Sequence, residues 1–363
     1  MASATIIPPR ARIPVSLLTG FLGSGKTTVL NHLLQHPCLS KTLVIINEFG
    51  EIGLDHALLV HTNEDIVVEM SSGCLCCTIR GDLAKTLRDA PWRFARDGKC
   101  WFERVVIETT GLADPVPVLH TLMMEPRVEA LYRLDGVITT VDAATASSTL
   151  DRQVECLRQV AVADRLLLTK TDLVTAEDIA ALEARIKTIN PAAPIIRTSN
   201  GTADPARLFD AGLYNPKTKS LDVQAWLKAD AYTDEHDHHH HHHHHHDVNR
   251  HDKSISAVCV TIDEPIRPDI FNFWLDMIAA YRGPDLLRVK GMVNLIGEPG
   301  PVVIHGVQHI FHPSVSLDAW PDDDHRSRIV FIGRNLPAQQ LREAFRILSD
   351  AAPPAEPAMP VQH

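Results

Sequence analysis

Three cysteines that lie within four residues are the most informative chemical feature of this sequence. Cys74, Cys76 and Cys77 can all face one ion if their loop is tight, and thiolates are preferred ligands of Zn²⁺ and Cu⁺. A closed structural zinc site has four ligands, so the remaining position is open to water, Glu48, Glu51 or a ligand from another protein. An incomplete shell of this kind suits transfer of a metal better than storage. Redox-active or inert buried thiols are the alternative.

A complete phosphate-binding loop lies roughly fifty residues upstream of the cysteines. Residues 20–27 match Gly-x-x-x-x-Gly-Lys-Thr and stand between a predicted strand and a predicted helix, which is the context that this motif requires. Backbone N–H groups would surround the phosphates, Lys26 would reach the β- and γ-phosphates, and Thr27 would offer its hydroxyl to Mg²⁺. The predicted nucleotide-binding residues of this loop are Gly20, Gly23, Ser24, Gly25, Lys26, Thr27 and Thr28.

The tetrapeptide Thr-Lys-Thr-Asp at residues 169–172 favours guanine as the base. The Asp172 carboxylate can accept hydrogen bonds from N1–H and the exocyclic amine of guanine, a donor pair that adenine lacks. Lys170 would lie along the base. Thr169 stands where asparagine is usual, and its hydroxyl makes only part of the contacts of an amide, so guanine selectivity is expected to be modest. An exposed polar helix start is the alternative.

A second acidic strand end, Glu108-Thr109-Thr110-Gly111, is typical of hydrolysis control. The Glu108 carboxylate can reach Mg²⁺ or a water near the γ-phosphate, and the Gly111 N–H can donate to that phosphate. We therefore predict Lys26, Glu108 and Gly111 as catalytic residues, and Thr27 and Glu108 as magnesium ligands. A carboxylate in a surface turn is the alternative. The sequence offers no obvious catalytic arginine, so intrinsic turnover is expected to be slow.

The elements that must position these residues alternate along the first two hundred residues. Strands are predicted at 12–19, 42–47, 66–69, 104–108, 136–141, 165–169 and 194–198, and helices at 27–35, 83–89, 152–160 and 176–189. This alternation predicts an α/β fold of the P-loop NTPase type, a mostly parallel sheet with helices on both faces. Ligands of such sheets bind at the carboxyl ends of the strands, where the three motifs would converge.

The chain is long enough for two domains. We predict a flexible N-terminus (1–12), a P-loop GTPase domain (13–200), a His-rich linker (201–253), a small C-terminal α+β domain (254–350) and a disordered tail (351–363). In the second domain, strands are expected at 254–262, 286–296, 301–311 and 328–332, and helices at 268–281 and 336–348.

Nine consecutive histidines, residues 238–246, lie within the predicted linker. They would bind divalent metals weakly and raise the local metal concentration near the cysteines. A tolerated low-complexity insertion is the alternative.

Composition narrows the class of protein. A net charge of −10 and a pI near 6.1 argue against nucleic acid or an anionic membrane as the main partner. No stretch approaches eighteen apolar residues, and the N-terminus lacks a secretory signal, so we expect a cytoplasmic protein.

Four isolated cysteines, Cys38, Cys100, Cys156 and Cys259, are interpreted as small core residues. For His305, His309 and His312, packing or hydrogen bonding is favoured over metal binding.

The motifs together resemble those of the CobW-type family of P-loop GTPases, from residue 13 to about residue 348. The resemblance is based on residues 18–28, 47–51, 73–77, 108–115, 169–172, 285–291 and 306–309 and on the position of the His-rich linker. It implies GTP-dependent delivery of zinc or cobalt to client metalloproteins, with Cys74, Cys76 and Cys77 holding the metal. It also implies that residues 47–51 form a switch that responds to the γ-phosphate, with Glu48 or Glu51 near the metal.

We therefore expect a GTP-hydrolysing zinc metallochaperone that uses GTP, Mg²⁺ and Zn²⁺ and delivers metal to a client metalloprotein, with a homodimer as a candidate assembly. Two alternatives remain at this stage. One is a cobalt chaperone for cobalamin synthesis or metalloenzyme activation, because Co²⁺ also accepts tetrahedral sulfur sites. The other is a metal-buffering protein whose nucleotide site is structural.

Overall fold

The computed structural model describes residues 12–49, 66–72, 77–198, 200–209, 255–283, 285–312, 314–320, 323–337, 339–341, 343–344 and 346. Residues 47–49, 66–72 and 77–80 are described by their backbone. Within these ranges the chain forms a parallel sheet in its N-terminal half and an antiparallel sheet in its C-terminal half.

The N-terminal half alternates strands with helices. Its strands are β1 (Ile13–Gly20), β2 (Thr42–Phe49), β3 (Ile66–Ser72), β4 (Ala95–Arg96), β5 (Lys99–Cys100), β6 (Arg104–Thr109), β7 (Tyr132–Asp142), β8 (Arg165–Thr169) and β9 (Ile195–Arg197). Its helices are α1 (Lys26–Leu34), α2 (Cys77–Arg93), α3 (Val116–Met124), α4 (Pro126–Leu131), α5 (Ala146–Arg152), α6 (Val154–Val162), α7 (Ala176–Ile189) and α8 (Pro205–Leu208). Seven strands pair in parallel in the order β3-β2-β6-β1-β7-β8-β9, and β4 and β5 form a separate short ribbon.

Both faces of the parallel sheet are covered by helices, as predicted. Neighbouring residues of a strand point to opposite faces, and the central strand β1 shows the result. Leu17 packs in a cluster that includes side chains of α2, α3, α6 and α7, whereas Leu18 packs with side chains of α1 and α8. Both leucines are almost fully buried. The two-sided burial explains why the strands are continuous apolar runs rather than alternating ones.

The C-terminal half is an antiparallel sheet with one long helix on one face. Its elements are β10 (Ile255–Ile262), the helix α9 (Pro268–Arg282), β11 (Leu286–Val293), β12 (Val302–Val307), β13 (Ile310–Phe311), β14 (Val315–Ser316) and β15 (Ser327–Arg334). The strand order is β10-β15-β11-β12-β13, with β14 also paired to β12. Helix α9 buries Phe271, Trp274 and Ile278 against the sheet. The α+β prediction for this half is therefore confirmed.

The other face of the antiparallel sheet packs against the N-terminal half. Leu287, Val307 and Val330 belong to the same apolar cluster as the core side chains of α3 and α6. The imidazole Nε2 of His120, on α3, donates a hydrogen bond to the backbone carbonyl of Val307 at 3.2 Å. The His120 ring also contacts the ring of His309 edge to face at 5.4 Å between centroids. The two halves thus share one continuous core.

A buried ionic cluster lies within this shared surface. The Asp164 carboxylate, just before β8, accepts hydrogen bonds from Arg288 Nη2 at 2.9 and 3.1 Å and also forms an ion pair with Lys290. Burial by itself would raise the pKa of Asp164, but the two cations outweigh it and hold that pKa well below its usual range. Burial lowers the pKa of Lys290 to about 8, although the Asp164 charge opposes that shift. Burial and the same cations lower the pKa of His305 well below its ordinary value.

Several predicted elements differ from the structure in their bounds. The strand predicted at 301–311 is a hairpin of β12 and β13, because Gln308 adopts a left-handed conformation (φ 55°) and reverses the chain. The helix predicted at 152–160 is α6, which begins two residues later because Gln153, with a ψ of 108°, is extended. Gln153 also ends α5, which was not predicted. Helices α3 and α4 were not predicted. The described residues between 339 and 346 are helical.

The interpretation of the four isolated cysteines was half right. Cys156 and Cys259 are buried, but Cys38 and Cys100 are exposed. Cys38 is in a short 3-10 helix, and Cys100 is in the β4–β5 ribbon beside the sheet, so neither is in the core. In the described part of the chain, no helix has both the length and the hydropathy needed to cross a membrane.

Candidate nucleotide and metal site

The predicted nucleotide-binding residues meet at the carboxyl edge of the parallel sheet. The Gly-rich loop follows β1, Glu108 is near the end of β6, and Thr169 ends β8. Strands β6, β1, β7 and β8 are consecutive neighbours in the sheet, so the motifs are side by side although they are up to 150 residues apart in sequence. A doubly covered parallel sheet binds its ligands at this edge.

The loop between β1 and α1 is a tight turn that depends on glycine. Gly20 has φ 145°, and a Cβ atom there would be 2.8 Å from the Ser24 hydroxyl and closer still to Thr140. Gly25 has φ 89°, a left-handed conformation, and directly precedes the first residue of α1. The N-terminus of α1 and the loop N–H groups therefore form a concave turn that suits an anion.

Lys26 lies within this turn. Its ammonium group donates hydrogen bonds to the backbone carbonyls of Gly20 at 3.0 Å and Phe21 at 3.2 Å. The side chain is 8% exposed, so a positive charge is held inside the loop at low solvent access. A cation in this position favours a bound polyphosphate.

Thr27 and Glu108 are in direct contact. The Thr27 hydroxyl donates a hydrogen bond to Glu108 Oε1 at 2.9 Å, across 81 residues of sequence. Glu108 is 4% exposed. A hydroxyl and a buried carboxylate at this separation are the hard oxygen ligands that Mg²⁺ prefers, so these two residues fit a magnesium ion next to a phosphate.

A network of threonine and serine hydroxyls holds the loop against its neighbouring strands. The Ser24 and Thr140 hydroxyls are 2.7 Å apart, and the Thr140 hydroxyl donates to the Thr19 carbonyl at 3.2 Å. On the other side of β1, the Thr109 hydroxyl donates to the Thr19 hydroxyl at 2.8 Å. These buried contacts tie β6, β1 and β7 together at the point where the loop begins.

The tetrapeptide at 169–172 contacts the Gly-rich loop through Thr169. The Thr169 hydroxyl donates to the backbone carbonyls of Ser24 at 2.8 Å and Val141 at 3.2 Å. Lys170 adopts a left-handed conformation (φ 55°), and its ammonium group forms an ion pair with Asp142 at 2.8 Å. Asp172 is exposed in a short 3-10 helix next to this turn. Threonine at position 169 thus makes a specific contact with the phosphate-binding loop.

The loop that follows β6 packs against the Gly-rich loop. A Cβ atom on Gly111 would be 2.6 Å from the backbone nitrogen of Leu22, so only glycine fits between them. The Gln159 amide, on α6, donates to the Gly111 and Ala113 carbonyls, each at 3.1 Å. Arg158, the preceding residue of α6, forms an ion pair with Asp114 at 2.8 Å.

Three residues of this site were not predicted as site residues: Asp142, Gln159 and Asp114. Asp142 ends a strand, as Glu108 nearly does, so the same strand-end criterion would have found it. Asp114 accepts from the Val116 backbone N–H at the start of α3, so as an Asp-Pro pair before a helix it has a helix-start signal, but its contact with Arg158 has none. Gln159 has no local signal, because its partners are about 45 residues away.

Three of the five predicted zinc ligands are outside the described residues, and so is the histidine tract. Glu51, Cys74, Cys76 and the histidine tract fall in that category. Glu48 and Cys77 are placed by their backbones: Glu48 is in β2, paired with Ser71 of β3, and Cys77 is the first residue of α2. The loop that carries the cysteines therefore begins at the carboxyl end of β3, at the same sheet edge as the Gly-rich loop.

The C-terminal histidines do not form a metal site in the described part of the chain. Among these residues there is no group of three or more histidine, cysteine or acidic side chains that could hold an ion. His305 and His312 are buried, and His309 is exposed in the β12–β13 turn. Burial and the charges of Arg288 and Arg12 lower the pKa of His312 to about 4.

Comparison with known proteins identifies the family. Residues 14–197 match the family model described as CobW/HypB/UreG, nucleotide-binding domain, and residues 255–348 match the cobalamin synthesis protein CobW C-terminal domain. The chain is 34% identical to the zinc chaperone YjiA of Escherichia coli over 92% of this chain and 98% of that protein. It is 31% identical to the zinc chaperone CobW of Pseudomonas aeruginosa over 92% of each chain.

A solved structure supports the same assignment. The crystal structure of the Zn(II)-bound YjiA GTPase from E. coli superposes with a TM-score of 0.67 at 32% identity, covering 93% of this chain and 99% of that one. The P-loop fold and the C-terminal sheet domain are both part of this likeness. The chain therefore belongs to the CobW/HypB/UreG family of nucleotide-binding proteins.

Proposed function

We propose that this protein is a GTP-hydrolysing metallochaperone that binds zinc in a nucleotide-dependent way and delivers it to client metalloproteins. The observation that supports this most directly is the pairing of Thr27 with Glu108 at 2.9 Å beside the buried Lys26. That arrangement has the cation, the hydroxyl and the carboxylate that a magnesium–triphosphate substrate requires. The choice of zinc as the metal is based on relatives that are named zinc chaperones and are similar over nearly the whole chain.

Each nucleotide-site residue has a role in this proposal. Gly20, Gly23, Ser24 and Gly25 surround the phosphates with N–H groups, with Thr28 on the first turn of α1. Thr27 and Glu108 would hold Mg²⁺, which would neutralise phosphate charge when bound.

Hydrolysis and base selection involve the neighbouring loops. Lys26 neutralises charge on the β- and γ-phosphates, Glu108 orients the attacking water, and Gly111 donates its N–H to the γ-phosphate. Asp172 and Lys170 select guanine, while Thr169 keeps their turn in register with the Gly-rich loop.

The strand order supports coupling between nucleotide and metal. Strand β2, which contains Glu48, lies between β6 with Glu108 and β3, from whose end the cysteine loop begins. Adjacent strands are about 4.8 Å apart, so three steps separate β3 from β1 by roughly 14 Å. In this proposal the residues that follow β2 respond to the γ-phosphate, and Cys74, Cys76 and Cys77, which follow β3, bind the zinc. Glu48 or Glu51 completes the zinc shell in this proposal.

The test is metal affinity in three nucleotide states. Chelator competition measures the Kd for Zn²⁺ and for Co²⁺ with Mg²⁺ plus a non-hydrolysable GTP analogue, with Mg²⁺ plus GDP, and with neither nucleotide. A variant with Cys74, Cys76 and Cys77 changed to serine reports on the cysteine site. All proteins lack residues 236–246, so that the histidine tract does not contribute. Tight, cysteine-dependent binding with the GTP analogue alone is the expected result.

The alternatives give different results in the same experiment. Equal metal affinity in the three states, together with no GTP hydrolysis, would favour a metal buffer with a structural nucleotide site. Hydrolysis that Lys26→Ala abolishes would exclude that alternative. Tighter binding of Co²⁺ than of Zn²⁺ would favour a cobalt chaperone.

A further inference from the structure

The loop from Gly111 to Asp114 is held by two consecutive residues of α6. Gln159 donates both amide hydrogens, one to the Gly111 carbonyl and one to the Ala113 carbonyl, at 3.1 Å each. Arg158 binds the carboxylate of Asp114 at 2.8 Å. The other Asp114 oxygen accepts from the Val116 backbone N–H at 3.0 Å, at the start of α3. The loop is thus fixed at its beginning and its end by one helix.

Gln159 is the buried half of this attachment. It is 0% exposed, and its backbone carbonyl accepts the Thr139 hydroxyl at 2.9 Å, which fixes the helix to strand β7. Two carbonyl oxygens face the amide nitrogen, so the side chain must present its NH₂ group to the loop. A carboxylate at this position would turn an oxygen toward two carbonyl oxygens. The requirement is therefore for an amide, and not only for a side chain of this size.

The held loop has no room to be displaced toward the Gly-rich loop. Gly111 already abuts the backbone of Leu22, as the 2.6 Å distance to a Cβ atom shows. Glu108 is three residues before Gly111 and is the second-last residue of β6. The Gly111 N–H lies in the peptide group shared with Thr110, whereas the Gly111 carbonyl that Gln159 holds lies in the next peptide group. A rotation about the backbone bonds of Gly111 would therefore turn its N–H relative to that held carbonyl. The two Gln159 hydrogen bonds oppose that rotation.

We propose that Gln159 is a positioning residue for GTP hydrolysis, which sets the orientation of the Gly111 loop without touching the nucleotide. The inference depends on the proposed function, since it assigns a role within that reaction. Its consequence is kinetic. Loss of the amide should leave the Gly-rich loop and guanine contacts intact, and should lower the rate of the chemical step, because small misplacements of a reacting group cost up to about a hundredfold in rate.

The chain offers a matched control in Asn190. This amide is 2% exposed and donates to the carbonyls of Val160, Ala161 and Ala163, at the C-terminal end of α6 directly after Gln159. Replacing it with leucine removes buried hydrogen bonds from the same helix, but none of them reaches the nucleotide site. A general loosening of α6 would affect both variants alike.

The experiment compares steady-state GTP hydrolysis by the wild type, Gln159→Met and Asn190→Leu, in the full chain with Mg²⁺. The expected result for Gln159→Met is a kcat about ten- to a hundredfold lower, with KM and the Kd for GDP within about threefold of the wild type. Asn190→Leu should keep its kcat within about threefold. If Gln159→Met does not fold, Gln159→Asn gives the same comparison, since its shorter amide cannot span both carbonyls.

Two outcomes would overturn the inference in distinguishable ways. If the wild type hydrolyses GTP and the Gln159 and Asn190 variants lose equal activity, or none, the amide is only structural. If the wild type hydrolyses no GTP and resembles Lys26→Ala, the proposed function itself fails, and the inference fails with it.

Discussion

Replacing Asp164 with asparagine is expected to destabilise the protein by weakening the contact between its two halves. Asparagine keeps the shape of the side chain and an oxygen for the Val137 backbone N–H, which donates to Asp164 Oδ2 at 2.9 Å. The change removes the negative charge and places an NH₂ donor where Asp164 Oδ1 accepts from Arg288 and pairs with Lys290. Arg288 and Lys290, with side chains 4% and 12% exposed, would then be two buried cations without their shared carboxylate.

The size of the effect follows from the charges that remain. Breaking a buried ion pair by removing one partner costs about 3–5 kcal/mol, because the other charge stays desolvated. Lys290 can reduce part of that cost by losing its proton. Its pKa is already lowered to about 8, and removal of the Asp164 charge, which raises this pKa, would lower it further. Arg288 has no such route. We therefore expect Asp164→Asn to lower the free energy of unfolding by about 3 kcal/mol at neutral pH.

Lys290→Met is the informative comparison. It removes one buried cation and leaves the hydrogen-bonded pair of Asp164 and Arg288 in place. We therefore expect the free energy of unfolding to fall by less than about 1.5 kcal/mol. Urea denaturation followed by circular dichroism gives both free energies of unfolding. A loss from Lys290→Met equal to or larger than that from Asp164→Asn would refute the reasoning.

The pH dependence has a defined sign. Unfolded lysine holds its proton up to a pKa near 10.4, whereas folded Lys290 releases it near 8. Between these values the unfolded state binds more protons, so this group makes stability rise with pH, by at most about 1.4 kcal/mol per pH unit. Asp164, whose folded pKa is depressed, contributes stability above the unfolded value near 3.9 and loses it in acid. Lys290→Met should abolish the rise in stability at alkaline pH. Asp164→Asn should abolish the loss of stability in acid that Asp164 causes.

Three further changes test single contacts. Gly111→Ala places a methyl group against the Leu22 backbone and should lower GTP hydrolysis at least tenfold, measured by phosphate release. Tyr132→Phe removes the hydroxyl that donates to the Leu87 carbonyl at 2.7 Å, and thermal unfolding should show a loss of about 1–3 kcal/mol. Thr169→Val removes the hydrogen bonds to the Ser24 and Val141 carbonyls; calorimetry should show GTP affinity lower by about five- to tenfold, and unchanged affinity would exclude the proposed link.

The elements that local sequence specifies were predicted well. The Gly-rich loop combines glycines, a lysine and a strand-helix context within a few residues, so its position follows from short-range patterns. The same holds for α7, whose start at Thr175 is marked by a capping box with Asp178. The β12–β13 hairpin was missed because nothing in the apolar run around Gln308 marks a reversal, and the left-handed residue is not glycine.

Long-range contacts were not predictable from one sequence. Asp164 precedes a strand, as many surface acids do, and its partners Arg288 and Lys290 come 124 residues or more later. Gln159 is one polar residue in an otherwise apolar helix stripe, and only the fold shows that it faces the Gly111 loop. The charge and hydrogen-bonding capacity of both side chains were visible in the sequence, but the tertiary neighbours that give them a role were not.

The central place of β1 in the parallel sheet has a consequence for how the protein forms on the ribosome. β1 is synthesised first, yet it pairs with β6 about 90 residues later and with β7 about 120 residues later. At about 5–20 residues per second, the Gly-rich loop waits roughly 6–24 s for both neighbouring strands. Arg288 follows Asp164 by a further 124 residues, a comparable delay. The nascent chain should therefore become able to bind nucleotide before its C-terminal half arrives, and GTP could act as a co-translational folding ligand.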